Sequence, residues 1–301
     1  MSDADGSAPA SGTGRGLEVH DEDVRPLPGV GASAIEVAPL STEGDPQAAA
    51  FFDLDNTMIK GASMFHLAKG LYRHGFFGSR VIAKAVWLQV WFRVVGRENP
   101  THIEDARAVS LSFIEGHTVT ELEEIGQETY DDAIHPRIWP GTRALAQKHL
   151  DAGQQAWLVT AAPIEVAGII AARLGLHGAL GSTAEHVDGV YTGRLRGELL
   201  HGAAKADAVR ALAEAEGLDL TRCAAYSDSS NDLPMLSLVG HPTVINPDKR
   251  LRRHALEQGW PVRDFRRGRR AARAGLLGAG AAGGATGAFA VGVVLRRMLR
   301  R

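Results

Sequence analysis

Segments typical of helices and segments typical of strands alternate along the second half of the chain, and this alternation constrains the fold most. Residues 141–152 have the pattern of a helix, Gln155–Thr160 that of a buried strand, and Ile164–Leu174 that of a helix ended by Gly175. The alternation continues with a helix within 205–217 and strands at Arg222–Ser227 and Pro242–Ile245. Strands that alternate with helices pair in parallel, so we expect an α/β fold with a doubly wound parallel sheet.

An apolar run, Ala48–Phe52, predicts a further buried strand, and the acidic loop Asp53-Leu54-Asp55-Asn56-Thr57 follows it directly. Two carboxylates at the end of a strand can hold a divalent cation, because hard cations prefer oxygen ligands. They can also divide the work of nucleophile and proton donor. The pair alone is equally typical of a turn or a helix cap, so other parts of the chain decide its role.

Three more polar features fall at the ends of predicted elements. Thr160 closes one strand, Lys205 opens a helix, and Asp228-Ser229-Ser230-Asn231-Asp232 follows the strand that begins at Arg222. Each has an ordinary structural role, since Thr160 and Asp228 are good helix N-caps and Lys205 suits a solvated helix. The carboxyl ends of parallel strands meet at one edge of the sheet, where ligands bind. The coincidence therefore predicts one shared site.

These residues, in this order and spacing, resemble the four motifs of the haloacid-dehalogenase (HAD) superfamily. The resemblance covers roughly residues 48–250. It is strongest to subclass IB, the phosphoserine-phosphatase-like group, because of the predicted hairpin at 184–194 and the stretch from Tyr226 to Asp232. Within that group, the chain resembles the actinobacterial type with a hydrophobic C-terminal tail. It implies a HAD Rossmann-like core formed by 48–60 and 140–250. Residues 61–139 would then be an inserted helical C1 cap, with helices expected over 79–95, 103–115 and 120–134, the last with a Thr120–Glu123 capping box.

The resemblance also implies a phosphatase, a phosphoric monoester hydrolase, with a role for each motif. Asp53 would attack phosphorus and form an aspartyl-phosphate, and Asp55 would protonate the leaving oxygen and later activate water. Thr160 and Lys205 would bind the phosphoryl oxygens, where Lys205 neutralises the charge that builds up. The small-molecule substrate would be a phosphate monoester.

The implied cofactor is Mg²⁺. The resemblance assigns it to Asp53, to the backbone carbonyl of Asp55 and to Asp228, with Asp232 and Asn231 supporting the metal and Lys205 from the next shell. The cation would allow a doubly charged phosphate to approach a carboxylate nucleophile.

The cap departs from phosphoserine phosphatase at the position where that enzyme carries a glutamate for the substrate ammonium, because the residue here is Ala62. No acidic residue occurs between Asp55 and Glu98, whereas seven basic residues do. We therefore expect a substrate other than phosphoserine, such as a lipid-derived or other anionic monoester; a solvated basic face is the structural alternative. Two alternative functions stay open. One is phosphoserine phosphatase, and the other is a regulatory protein of cell differentiation or division that binds a phosphorylated partner through this scaffold.

The two ends of the chain carry opposite charge. Residues 1–47 hold nine acidic residues against two arginines and are expected to be a disordered arm. Residues 262–301 are predicted to be a basic tail with an uncharged run at 274–295. This tail could associate with a membrane, as a spanning segment or on an anionic membrane surface, and the alternative is a flexible tail. No reading motif accompanies the charge, so nucleic acid is not expected as a partner. The single cysteine, Cys223, fits a buried strand residue and a cytoplasmic protein.

Overall fold

The computed structural model of the chain describes residues 24–28, 30, 32–37, 44–76 and 114–266. The strands in these ranges are β1 (Val24–Pro26), β2 (Ala32–Glu36), β3 (Ala49–Asp53), β4 (Gln155–Pro163), β5 (Gly178–Ser182), β6 (Ala184–Val187), β7 (Val190–Leu195), β8 (Ala224–Ser227), β9 (His241–Ile245) and β10 (Val262–Arg263). The α-helices are α1 (Ser63–Arg73), α2 (Val119–Thr129), α3 (Pro140–Asp151), α4 (Ile164–Leu174), α5 (Ala203–Glu216), α6 (Leu233–Leu236) and α7 (Lys249–Glu257).

One eight-stranded sheet organises the described residues, in the order β1-β2-β5-β4-β3-β8-β9-β10. The strands from β5 to β10 in this order pair in parallel, whereas β2 pairs antiparallel with β5, and β1 antiparallel with β2. The predicted α/β fold with a largely parallel sheet is confirmed. Strands β1 and β2 extend one edge of this parallel sheet with antiparallel pairs.

Helices cover both faces of the sheet because its central strands are apolar on both sides. In β3, Phe51 and Phe52 are adjacent, fully buried and point to opposite faces. Phe52 packs into the core that α3, α4 and the helices α1 and α2 cover. Phe51 packs into the core that α5, α6 and α7 cover. Burial of each aromatic ring contributes about 1.5–3 kcal/mol to folding.

The expectation of a disordered arm over 1–47 is wrong for the residues of β1 and β2. Strand β2 pairs with β5 over its whole length, from Ala32 opposite Ser182 to Glu36 opposite Gly178. Ile35 is only 1% exposed and packs against Gly168 of α4. The acidic composition of the arm suggested disorder, but a short apolar stretch in it closes an otherwise open sheet edge.

The described part of the predicted cap is helical. Helix α2 begins at Val119, and a π-helical turn (Tyr130–Ile134) and a 3₁₀ turn (His135–Arg137) follow it. The capping box consists of Thr118 and Glu121, so its predicted assignment to Thr120 and Glu123 is wrong. The helix predicted over 79–95 lies outside the described residues, as does that over 103–115 except for Ile114 and Glu115, which lie in a turn.

The hairpin predicted within 184–194 is formed by β6 and β7. Asp188 and Gly189 have φ of 51° and 74°, as a two-residue turn of type I′ requires. The core was predicted to end at 250 and the tail to begin at 262, and both bounds shift. Helix α7 extends to Glu257, and β10 pairs with β9, so Val262–Arg263 belong to the sheet instead of the tail.

Within the described residues, no helix combines the length and apolarity that crossing a bilayer demands. The uncharged run at 274–295 lies outside those residues. Cys223 is buried, as predicted, but it lies directly before β8 and not within the strand. Its Sγ accepts the Ala49 N–H at 3.3 Å.

Candidate active site

A buried ion triad lies where β3 ends. Asp53 is the last residue of β3, and Lys205 lies in the first turn of α5. The residue before α5 is Gly202, whose positive φ of 58° allows the chain to turn into the helix there. Lys205 Nζ donates to Asp53 Oδ1 at 2.5 Å and to Asp232 Oδ2 at 3.0 Å. The three side chains are almost fully buried. Residues of the first, third and fourth predicted motifs, far apart in sequence, therefore share one charged cluster.

Asp55 lies in the loop after β3, held from two sides. The Ser63 N–H, in the first turn of α1, donates to Asp55 Oδ1 at 2.8 Å. Next to it, Asn56 adopts a positive φ of 58°, and Asn246 Nδ2 donates to its carbonyl oxygen at 3.1 Å. The loop is thereby fixed both to α1 and to the residue that follows β9. Asp55 is partly exposed, as a group that exchanges protons with a substrate needs to be.

Thr160 lies within β4 and not at its end, because the strand continues to Pro163. The register of β4 against β5 shifts between Val159 and Pro163, so Thr160 stands at an irregular part of the strand. Val159 is opposite Asp53, which puts Thr160 one residue beyond the level of Asp53. Its Oγ1 accepts the Ala162 N–H at 3.2 Å, a contact that leaves the hydroxyl proton available for another acceptor.

The second acidic loop follows β8. Ser227, its last strand residue, donates through Oγ to Asp232 Oδ2 at 2.7 Å, which fixes the carboxylate that Lys205 contacts. Asp228 is half-buried, and in the described part of the chain its side chain forms no ion pair. Asp248 closes the loop by accepting the Ser230 N–H at 2.7 Å. Asn231 is exposed, and its backbone N–H donates to Ser229 Oγ.

Burial, together with neighbouring negative charge, raises the pKa values of Asp53 and Asp228. Burial, together with the charges of Asp232 and Asp55, raises the pKa of Asp53 to about 6, although Lys205 opposes the change. Burial and the charges of Asp53 and Asp232 raise the pKa of Asp228 to about 7. Burial lowers the pKa of Lys205, but the attraction of Asp53 and Asp232 outweighs it and raises the pKa overall. Lys205 is therefore a permanent cation that does not offset all the carboxylates.

The donor set at this edge suits a hard divalent cation. Asp53, Asp228 and Asp232 repel one another, and added positive charge would relieve that repulsion. Across the residues that the structure describes, no group of three or more His, Cys, Asp or Glu side chains is arranged as a metal cluster. Mg²⁺ retains several waters and needs only one or two carboxylates, so this set fits Mg²⁺ better than a fully protein-bound metal.

Sequence reasoning missed the residues that position the site. Ser227, Ser63, Asn246 and Asp248 touch the acidic loops without carrying chemistry of their own. Ser227 stands in the stretch that resembles the family, and its place before Asp228 was the available signal. Asn246 gave none, because its contact with Asn56 joins residues 190 positions apart.

Comparison with known proteins agrees with this geometry. The family model described as haloacid dehalogenase-like hydrolase matches residues 50–237. The chain is 55% identical over 222 residues to "Phosphoserine phosphatase SerB1" of Mycobacterium tuberculosis, covering 74% of this chain and 72% of that protein. It is 38% identical to the "Inhibition of morphological differentiation protein" of Streptomyces azureus, covering 74% and 80%. A solved structure of a protein with unknown function from Bordetella pertussis is 31% identical with a TM-score of 0.64, covering 72% and 98%.

Proposed function

The chain belongs to the haloacid dehalogenase-like hydrolase family, and we propose that it is a Mg²⁺-dependent phosphatase that hydrolyses a phosphate monoester through an aspartyl-phosphate on Asp53. The observation that carries this proposal is the buried contact of Lys205 with Asp53 and Asp232 beside Asp228. A carboxylate held against a permanent cation is suited to attack phosphorus, because the cation attracts the phosphoryl oxygens to the nucleophile.

In the first half-reaction, Asp53 Oδ attacks phosphorus and the bond to the ester oxygen breaks. Asp55 donates its proton to that oxygen, so the alcohol leaves neutral. In the second, Asp55 takes a proton from water, the water oxygen bonds to phosphorus, and the acyl-phosphate bond breaks. The Asp53 carboxylate and inorganic phosphate are the products. The Ser63 N–H, at 2.8 Å from Asp55 Oδ1, supports Asp55 by fixing its orientation.

Lys205 and Thr160 hold the phosphoryl group. Lys205 supplies positive charge that is already in place when negative charge develops on the equatorial oxygens. Thr160 supplies a hydroxyl donor from the irregular part of β4. Asp232 keeps Lys205 in position and is itself held by Ser227 at 2.7 Å.

Asp53, the carbonyl oxygen of Asp55 and Asp228 would hold Mg²⁺, with Asp232 and Asn231 behind them. When bound, the cation neutralises the phosphate and reduces the repulsion between it and the nucleophile. The excess of carboxylates over cations in this cluster supports that assignment.

For the substrate, we propose a lipid-derived or other anionic monoester in preference to phosphoserine. Ala62 is the exposed N-cap residue of α1 and offers no carboxylate to an ammonium group. The name of the Mycobacterium tuberculosis relative favours phosphoserine as the second candidate. That of the Streptomyces azureus relative favours a regulatory role in differentiation as the third.

Phosphate release from a panel of monoesters tests the function. The protein with Mg²⁺ is expected to hydrolyse lysophosphatidate or another anionic ester faster than phosphoserine, and activity is expected to be lost in EDTA and in Asp53→Asn. A clear preference for phosphoserine contradicts the substrate proposal. Full activity in Asp53→Asn contradicts the mechanism, and a wild-type protein that binds phosphorylated partners without hydrolysing them supports the regulatory role.

Association with a membrane through the C-terminal tail stays a prediction. Because Val262–Arg263 belong to the sheet and the ring of Phe265 packs against Gly141, the deletion that tests it begins at residue 267. If the tail anchors the protein, removal of 267–301 shifts it from the membrane fraction to the soluble fraction. An unchanged distribution contradicts the prediction.

A further inference from the structure

A cavity of about 250 Å³ lies between α1 and the segment that ends α2 and forms the two turns after it. We name it the α1 pocket, and the charged and titratable residues that line it are His66, Lys69, Arg73, Glu128, Asp132 and Arg137. It lies in the part of the protein predicted to be the cap, and its role is not explained by the chemistry at the sheet edge.

The α1 pocket is adjacent to the proposed acid–base residue. The same helix that donates the Ser63 N–H to Asp55 presents His66 less than one turn later and Lys69 one turn after that. Burial, Arg137 and Lys69 lower the pKa of His66, while the charge of Asp55 acts in the opposite direction. Asp55 and the cations of the pocket therefore share one electrostatic environment.

The pocket carries unbalanced positive charge. Three cations and two acids line it, which leaves an excess of one positive charge. Both acids, Glu128 and Asp132, contact Arg73 at 3.1 Å, so they are already engaged. Arg137 donates to the carbonyl oxygen of Ala133 at 2.7 Å, which fixes its guanidinium without neutralising it. Among the described residues, neither Arg137 nor Lys69 forms an ion pair.

We propose that the α1 pocket binds a second anionic group of the substrate, a carboxylate or a second phosphate on the alcohol that leaves, and that Arg137 and Lys69 determine this specificity. The inference rests on the proposed phosphatase function. Half-buried Arg137 is the main donor, because a guanidinium fixed in position binds an oxyanion with two directed hydrogen bonds. Lys69, which is exposed, contributes charge to the rim. The same two cations attract the carboxylate of phosphoserine but repel its ammonium group, so they favour leaving groups that carry an anion and no ammonium.

Three esters with one framework isolate the effect: phenyl phosphate, 4-carboxyphenyl phosphate and 4-(aminomethyl)phenyl phosphate. In wild type with Mg²⁺, kcat/KM is expected to be highest for the carboxylate and lowest for the amine. A lost charge-assisted hydrogen bond lowers affinity about tenfold or more, so Arg137→Gln lowers the carboxyphenyl-to-phenyl ratio of kcat/KM by about tenfold. The ratio between variants cancels the intrinsic reactivity of each leaving group. A 4-phosphonophenyl ester distinguishes a second phosphate from a carboxylate.

Two further variants keep the test decisive if Arg137→Gln folds poorly. Lys69→Gln is expected to lower the same ratio by a smaller factor, and Arg137→Lys to restore part of it. Lys148→Gln, an exposed cation on α3, is the matched control and leaves the ratio unchanged. Ratios that stay at the wild-type value in both Arg137→Gln and Lys69→Gln refute the pocket's role while the phosphatase function stands. If wild type hydrolyses none of the esters, the proposed function fails, and the inference fails with it.

Discussion

Replacement of Lys205 by methionine tests the ion triad at the centre of the site. Methionine retains the length and apolar stem of lysine but removes the ammonium group that lies 2.5 Å from Asp53 and 3.0 Å from Asp232. Both carboxylates are then buried without a cation. Removal of one partner from a buried ion pair costs about 3–5 kcal/mol, so we expect the free energy of unfolding to fall by about that amount at neutral pH.

The pH dependence makes the prediction specific. Without Lys205, burial leaves the pKa of Asp53 above that in the unfolded chain, so the folded variant binds more protons. Its stability deficit is therefore largest at high pH and shrinks as the pH falls through the raised pKa, with more loss at about pH 8 than at about pH 5. Urea unfolding followed by circular dichroism in EDTA measures it. Lys148→Met, at an exposed position, is expected to change stability by less than about 0.5 kcal/mol. A Lys205→Met deficit below about 1 kcal/mol, or one that grows towards low pH, would refute the reasoning.

Three other predictions concern the scaffold. In the same urea assay, Ile35→Ala is expected to lower the free energy of unfolding by about 2–5 kcal/mol, because Ile35 is buried. The exposed neighbour variant Glu36→Ala is expected to lower it by less than about 0.5 kcal/mol. Equal, small losses in both variants would show that β2 is not part of the core. Thr118→Ala removes the helix cap and costs about 0.5–2 kcal/mol, whereas Thr120→Ala costs little, and the reverse order would contradict the observed capping box. Burial lowers the pKa of His177 below 6.5, so the stability that neutral His177 contributes is complete above that pH and is lost as the pH falls below it. In thermal melts, His177→Gln is expected to lose part of this acid sensitivity, and a pH profile identical to that of wild type would contradict the role of His177.

The strands that carry the candidate chemistry were predictable because their apolar runs are continuous. β3, β4 and β8 lie in the centre of the sheet, are covered on both faces, and therefore contain continuous apolar runs, each followed by a polar residue. The polar residues after those runs predicted one shared site before any tertiary contact was known. The same logic placed Lys205, since a helix that follows Gly202 starts at the same edge.

Strands β5 and β2 were not predictable, because their strand conformation depends on contacts with residues elsewhere in the chain. β5 has the sequence Gly-Ala-Leu-Gly-Ser, which is weak strand sequence on its own. A Cβ on Gly178 would lie 2.2 Å from the carbonyl oxygen of Ile35 and 2.4 Å from the ring of Trp157. Glycine is therefore required by the neighbours of β5, and only the folded structure shows them.

The capping box shows how a tertiary contact decides between two equal local patterns. Thr118 and Thr120 are each followed three residues later by glutamate. The Val119 N–H donates to the carbonyl oxygen of Gly189 at 2.9 Å, and Thr118 forms a bridge with Val190. These contacts with the β6–β7 hairpin hold Thr118 extended, so the helix begins after it. The α1 pocket was likewise not predictable from the sequence, because Lys69 and Arg137 line one cavity only after α1 packs against α2 and the turns that follow it.

Chemical trapping of the phosphorylated residue tests directly whether Asp53 is the nucleophile. Wild-type protein turning over 4-nitrophenyl phosphate with Mg²⁺ is quenched in acid and reduced with borohydride, which converts an aspartyl-phosphate to homoserine. We expect homoserine at position 53 in the peptide map, and none in protein quenched without substrate or in Asp53→Asn. Homoserine at another aspartate, or rapid turnover with Asp53 unmodified at every quench time, would contradict it.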